Sequence, residues 1–335
     1  MTTQQKIISL AANYLTLSTL NDFNNNLKEN YDTENVVVDL TAVNFYDPQT
    51  ILCLALIIRD FKKIRGSRKT LISIDQTHNT IGYLAQIGFV DFIGVDFGNK
   101  LGQVKAGESY VPIRKIDKKE LLHESFETGK SLQDLIQEEA AHVARVLVGT
   151  NFNKQVYLTI AYSIRETIRN ALEHSEKDVC YVCAQRWKNN RAQIAVVDEG
   201  IGIFNSLCNA HINVNEDNFL KIALQAGLSR TLNLDEDKNI HGNSGFGLYV
   251  LQHLAKNFGR MTLSSSGKTI IIKNNKKENE ERLNGFTGTC VSIEFSMYPN
   301  NIEDVISMIA DSGEEEAREA GRIVKASSRS RSVTI

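Results

Sequence analysis

Val36 to Leu40 is a short apolar run and reads as a buried strand. Asn44-Phe45-Tyr46-Asp47-Pro48 follows, then ILCLALIIRDFKKI, which stops at Arg65-Gly66. Asp47 reads as an N-cap and Pro48 as the first residue of a long helix. Lys69 to Ile74 reads as the next strand, and Thr80 to Gln86 as a short helix closed by Ile87-Gly88-Phe89. This alternation predicts a compact α/β unit to about residue 104. Residues 105–120 are more polar and carry Gly107 and Pro112, so the boundary is placed there. Helices are then predicted over Ser131–Leu147 and Lys154–His174, and strands over Val179–Gln185 and Ile194–Asp198. A long, weakly periodic polar stretch covers 203–241. A helix from Gly247 to near Gly259 and strands at 261–264, 270–272 and 290–297 finish the second unit. No tandem repeat is visible, which argues against a solenoid or propeller.

The helix 158–174 carries the first candidate chemistry. At about 100° per residue, Ile160, Ala161, Ile164, Ile168, Ala171 and Leu172 share one face. Glu166, Asn170 and His174 fall on the other, four residues apart. A solvated helix face would look the same, so the reading depends on companions. The strand ending at Asp198 runs into Asp198-Glu199-Gly200-Ile201-Gly202, where two glycines permit close backbone approach. Later Gly242-Asn243-Ser244-Gly245-Phe246-Gly247 opens a helix. A glycine-rich turn at a helix N-terminus favours phosphate, because free N–H groups and the helix dipole both attract anions. Gly288-Thr289 precedes the last strand.

Composition narrows the field. The chain of 335 residues is 42% hydrophobic and 23% charged, which excludes wholesale disorder. A net charge of −2 gives no global reason to expect nucleic acid or an anionic membrane as partner. The longest wholly apolar run, Ile51–Ile58, is far short of a membrane span. The start MTTQQKIISLAANYL lacks a basic region before an apolar core, and 5 cysteines do not make a disulfide scaffold. A cytoplasmic location is expected. Ser266-Gly267-Lys268-Thr269 ends like a phosphate-binding P-loop but has Thr262 where glycine is needed. Cys180-x-x-Cys183 lacks a second pair with metal-site spacing, and its residues should point to opposite faces of a strand. Glu314–Glu316 and Glu319 precede an acid-free tail with Arg322, Lys325, Arg329 and Arg331, which reads as a solvated end.

In order and spacing, Glu166-x-x-x-Asn170-Ala171-x-x-His174, Asp198-x-Gly200-x-Gly202, Gly242-x-x-Gly245-x-Gly247 and Gly288-Thr289 resemble the N, G1, G2 and G3 boxes of the GHKL, or Bergerat-fold, ATPases. The resemblance spans about 115–298 and looks nearest to the anti-sigma-factor serine kinases. It implies an α/β sandwich, a mixed sheet with helices on one face, holding ATP and Mg²⁺. Asn170 would hold the metal ion, and Asp198 would accept from the adenine amino group with Thr289 nearby. Gly200 and Gly202 would let the backbone pass the base, and Gly242, Gly245 and Gly247 would cradle the phosphates. Residues 203–241 would be the lid, with Lys221 or Arg230 as candidates for the terminal phosphate. Glu166 would be the general base and His174 an outer support.

The first unit resembles a STAS domain through Val36–Leu40, Val43–Asp47, Lys62–Gly66 and Tyr83–Phe89. Where regulatory STAS domains carry a phosphoacceptor hydroxyl after the Asp, this chain has Pro48 and Gln49, with none until Thr50. The division expected is 1–104 STAS-like, 105–298 ATP-binding, and 299–335 a C-terminal helix with a basic tail. The function expected is an ATP-driven protein switch with slow hydrolysis and a protein partner; the alternative is a Ser/Thr kinase acting in trans. A sensor histidine kinase is disfavoured because His142, on the preceding helix, is followed by Val143. A DNA-acting ATPase is disfavoured because little chain follows residue 298. A homodimer fits the resemblance, though no residue demands it.

Overall fold

A computed structural model describes residues 5–10, 12, 14–44, 46–75, 79–101, 103, 105–149, 154–228, 245–273, 279–283, 286–296, 305–322 and 325–326. The N-terminal unit has a three-stranded parallel sheet, β1 (Lys6–Ser9), β2 (Asn35–Asp39) and β3 (Lys69–Ser73), paired in sequence order. Its helices are α1 (Leu17–Lys28), α2 (Pro48–Arg65), α3 (Asn79–Gln86) and α4 (Phe89–Phe92). Asp47 caps α2 as its sequence predicts: Thr50 N–H donates to Asp47 Oδ1 at 2.8 Å, and Thr50 Oγ1 accepts from Asp47 N–H at 3.1 Å. At the other end Arg65, 1% exposed, donates to the carbonyls of Asn30, Tyr31, Glu34 and Lys69 and to Thr70 Oγ1. That satisfies a buried guanidinium and ties the loop before β2 to the start of β3.

The second unit is built on a seven-stranded sheet. In chain order its elements are β4 (Tyr110–Asp117), α5 (Lys118–Thr128), α6 (Leu132–Val148), α7 (Lys154–His174), β5 (Val179–Arg186), β6 (Arg191–Asp198), α8 (Gly202–Asn209), α9 (Phe219–Ala223), α10 (Gly247–Phe258), β7 (Gly259–Ser265), β8 (Lys268–Lys273), β9 (Asn279–Arg282), β10 (Thr289–Ser296) and α11 (Val305–Glu319). The strand order is β4-β5-β6-β10-β7-β8-β9. The α/β sandwich is as expected, but every pair in this sheet is antiparallel, where a mixed sheet was expected. The reason is connectivity: β5–β6 and β7–β8 are hairpins, which only antiparallel neighbours allow. The P-loop-like Ser266-Gly267 is the turn of the second hairpin, with φ of 50° and 81°.

The helices of this second unit lie on one face of its sheet, as expected, and the other face is covered by α2 of the N-terminal unit. Residues alternate along each strand. Cys180, Val182 and Ala184 of β5, Ile194 and Val196 of β6, and Val291 and Ile293 of β10 join the core under α6, α7 and α10. Their neighbours Tyr181, Cys183, Ala195, Val197 and Cys290 join the core of the N-terminal unit. Helix α2 touches β5, β6 and β10 directly. Its wholly apolar run Ile51–Ile58 is therefore buried all round, one side on its own unit and the other on the larger sheet.

This double burial has a readout. Cys53, Cys180, Cys183 and Cys290 are buried, and Cys208 is exposed. Burial also pushes the Cys183 thiol up to about 12, away from the reactive thiolate. A native-state thiol titration should find one fast-reacting cysteine, Cys208, and the rest only on denaturation. Fast reaction of Cys53, Cys183 and Cys290 would show that α2 does not stay on the sheet.

Candidate functional site

A cleft with about 820 Å³ of empty space, open to solvent, lies between α7, α8, α10 and the sheet. Asn170, Asp198, Gly202, Gly245, Gly247 and Thr289 all line it, as does His174. The structure thus brings together residues spread over three sequence motifs and the start of the last strand. Gly242 and Arg230 lie outside the described residues.

The floor of one end is Asp198. It ends β6, is 3% exposed, and pairs in register with Thr289 of β10. Its carboxylate accepts from the backbone N–H groups of Gly200, at 2.8 Å, and Thr289. Burial nevertheless wins and pushes the Asp198 pKa up to about 7. The strand ends can come this close because residue 288 is glycine: a Cβ there would stand 1.8 Å from the Asp198 carbonyl oxygen. Thr289 Oγ1 shares a hydrogen bond with Ser265 Oγ at 3.1 Å, and Ser265 Oγ also accepts from Ile203 N–H at 2.8 Å. The hydroxyl pair thereby fastens the first turn of α8 to the sheet.

The other end is the start of α10. Among the described residues no side chain caps this helix at Phe246, and a helix start is a favourable place for an anion. Gly245 has φ +71° and lies against Leu228, where a Cβ would meet the Leu228 backbone at 2.7 Å. Gly247 is needed for a different reason: a Cβ would come 2.8 Å from Glu166 Oε2 and 3.4 Å from Asn170 Nδ2. Behind this turn α11 crosses closely, with Gly313 against Phe246 and Tyr249, and Tyr249 donates to Glu316 at 2.8 Å.

Glu166 does not line the cleft. It is 0% exposed, beside Gly247, between two arginines of its own helix. Arg165 donates to Oε1 through Nε at 3.2 Å and Nη2 at 3.0 Å. Arg169 Nη2 lies 2.7 Å from Oε2, but outside hydrogen-bond alignment, so Oε2 keeps acceptor capacity toward Gly247 and Asn170. Around Glu166 the polar face of α7 is therefore a buried ion cluster, which also touches Gln137 of α6. Sequence reading passed over Arg165 and Arg169; charges of opposite sign at i−1 and i+3 around a candidate carboxylate were the available signal.

Gly200 is not among the residues lining the cleft; a Cβ there would meet the Ser175 carbonyl oxygen at 2.2 Å, so it serves contact with the residue after α7. Lys221, on α9, pairs with Glu280 of β9 at 2.6 Å, outside the cleft. Cys180 and Cys183 fall in different cores, on opposite faces of β5.

A buried acceptor at one end, a glycine turn with an uncapped helix start at the other, and an amide between them suit a base joined to phosphates. Asn170, which lines the cleft, offers a hard oxygen of the kind a hydrated magnesium ion takes. Among the described residues no helix is long and apolar enough to cross a membrane. No curated protein matches the chain. Residues 156–299 match the family model described as histidine kinase-, DNA gyrase B-, and HSP90-like ATPase, a match that supports ATP binding by a GHKL-type domain.

Proposed function

We propose that the chain is a Mg-ATP-binding switch protein that hydrolyses ATP slowly and reports its nucleotide state to a protein partner. The observation that carries this reading is the two-ended cleft, with buried Asp198 at one end and the glycine-lined start of α10 at the other. Asp198 accepts from the adenine amino group, with Gly202 and Thr289 beside it. Gly245 and Gly247, with Gly242, take the phosphates, and Asn170 takes Mg²⁺. That ion would neutralise phosphate oxygens so that they can lie against one another. ATP moves the switch only by binding one arrangement of the protein more tightly than another. We keep the division 1–104, 105–298 and 299–335 as part of this reading, with the first segment STAS-like.

Glu166 is assigned as the base that orients or deprotonates a water. Its Oε1 accepts from Arg165, and Oε2, 2.7 Å from Arg169, accepts no aligned hydrogen bond. The kinase alternative needs its acceptor in trans, because Thr50 is 3% exposed and held in the α2 capping box.

Phosphate release and calorimetry test the assignments. Glu166→Gln is preferable to Ala, which would leave two buried arginines without their carboxylate. Glu166→Gln should bind Mg-ATP and lose turnover by about 10²–10⁴. Asn170→Ala should weaken Mg-ATP by about 10- to 100-fold, the worth of one interaction with a charged group. Unchanged turnover in Glu166→Gln would remove its role as base, and absence of any Mg-ATP binding heat would remove the reading as a whole. Labelled phosphate on a partner protein would favour the kinase.

Asp198 gives a pH test. Its folded pKa lies above its unfolded value, so ionisation costs stability above about pH 7, and the cost is relieved as pH falls. Adenine recognition runs the other way, since protonation removes the charge and turns one acceptor oxygen into an O–H donor, which weakens acceptance from the amino group. Adenosine, which has no phosphate to titrate, should bind more weakly as pH falls from 8 to 6. Asp198→Asn should flatten that profile and raise the Tm of the free protein at pH 8. An adenosine affinity that stays level across this range in the wild type would count against Asp198 as the adenine acceptor.

A further inference from the structure

The turn Asp198-Glu199-Gly200 is held from three directions. Gly288 presses on the Asp198 carbonyl, and Ser175 presses on Gly200. Both contacts come from within residues 156–299. The third comes from the N-terminal unit. Arg59, on α2, points its guanidinium across the seam between the units. It lies 4.5 Å from the ring centre of Phe92 and 5.4 Å from that of Tyr181. Its Nη1 donates to Tyr181 Oη at 3.1 Å and lies 3.7 Å from Glu199 Oε2. Tyr181 pairs in register with Val197, the residue before Asp198. One side chain thus grips the residue after Asp198 and the strand that flanks the residue before it.

The Arg59–Glu199 pair is partly exposed, at 33% and 37%, and an ion pair of that kind contributes little alone. The aromatic rings change this. Phe92 and Tyr181 pack at 4.6 Å between centroids and fix the guanidinium plane, so little side-chain entropy is lost in holding Glu199. An open cleft beside this contact is lined by Arg59, Lys62 and Phe92 on one side and by Asp198, Glu199 and Gly288 on the other. The back of the proposed adenine site therefore forms part of the seam.

We propose that Arg59 is a positioning residue for the adenine end of the cleft. It holds the Asp198 turn through Glu199 and Tyr181, and so makes nucleotide affinity depend on the docked N-terminal unit. This rests on the nucleotide reading above, deepens it, and names a route by which a partner engaging the N-terminal unit alters ATP binding.

The test uses the full chain with two readouts, amide exchange over residues 198–203 in the free protein and Mg-ADP affinity. Arg59→Gln should speed exchange in that segment and weaken Mg-ADP by about 3- to 10-fold. Cys53, Cys183 and Cys290 should stay protected, showing that the seam remains closed. Arg59→Lys, which keeps a charge facing Glu199, should recover part of the affinity. Glu199→Gln should lose a similar amount, and the double variant no more than either single one. Unchanged exchange and affinity in both single variants would overturn the proposal. So would a loss accompanied by exposed thiols and no rescue by lysine, which would mark simple opening of the seam. Faster exchange in Arg59→Gln beside a wild type that binds no Mg-ADP would overturn the nucleotide reading and the dependence proposed on it, leaving only the Arg59 contact.

Discussion

The packing of α2 against the back of the larger sheet is the constraint on which the rest depends. A sheet whose strands β5, β6 and β10 are apolar on both faces cannot leave either face in water. Helices α6, α7 and α10 cover one, and α2 covers the other. The partners facing α2 include Ala195, Val197, Cys183 and Cys290, small enough for a helix to lie close. Separating the units would expose this surface together with the apolar run Ile51–Ile58. The N-terminal unit is therefore part of the core of the protein rather than a module on a tether, and whatever it does is felt by the strands that end at the cleft.

The two ends of the cleft are built differently. The Asp198 end is made of paired strands, a backbone-bonded carboxylate and glycines needed for contacts of backbone on backbone. Its acceptor, the Asp198 carboxylate, is held in place by backbone N–H groups of Gly200 and Thr289. The Gly245–Gly247 end is a turn at an uncapped helix start, backed by α11 through Gly313. Between them Glu166 sits in a cluster with Arg165 and Arg169. Such a cluster is costly to bury and costlier to break, so it fixes the α7–α10 contact that Gly247 completes.

Much of this was legible in the chain, and the gaps have physical causes. Asp47-Pro48 announced α2, and the spacing of Ile160, Ile164 and Ile168 announced α7, because capping and a 3.6-residue period are local signals. The motifs around Asn170, Asp198 and Gly245 were legible as a set though weak singly. Strand direction was not: a local pattern fixes which face is apolar, not which neighbour a strand meets. Gly200 and Gly202 looked equivalent, yet only Gly202 meets the cleft, since the demand on Gly200 comes from Ser175, distant in sequence. Strand β1 and helix α1 escaped notice. The α1 sequence LSTLNDFNNNLK is rich in asparagine and buries only one stripe. The burial of Glu166 was hidden for the same kind of reason, since adjacent charges on a helix look solvated until the element that covers them is known.

Under the proposed switch, the part of the nucleotide that each end meets decides where nucleotide state is sensed. ATP and ADP share a base, so both satisfy Asp198 equally, and that end supplies binding common to the two. Only the phosphate end meets a group that differs. A discriminating response therefore arises at the Gly245–Gly247 turn and in what rests on it, namely Leu228 in front and α11 behind. The N-terminal unit reaches the opposite, shared end through α2. Its influence should then set how tightly any adenine nucleotide is held, while the phosphate turn sets which one. Separating affinity from discrimination in this way lets a partner on the N-terminal unit tune occupancy without erasing the difference between the two nucleotides.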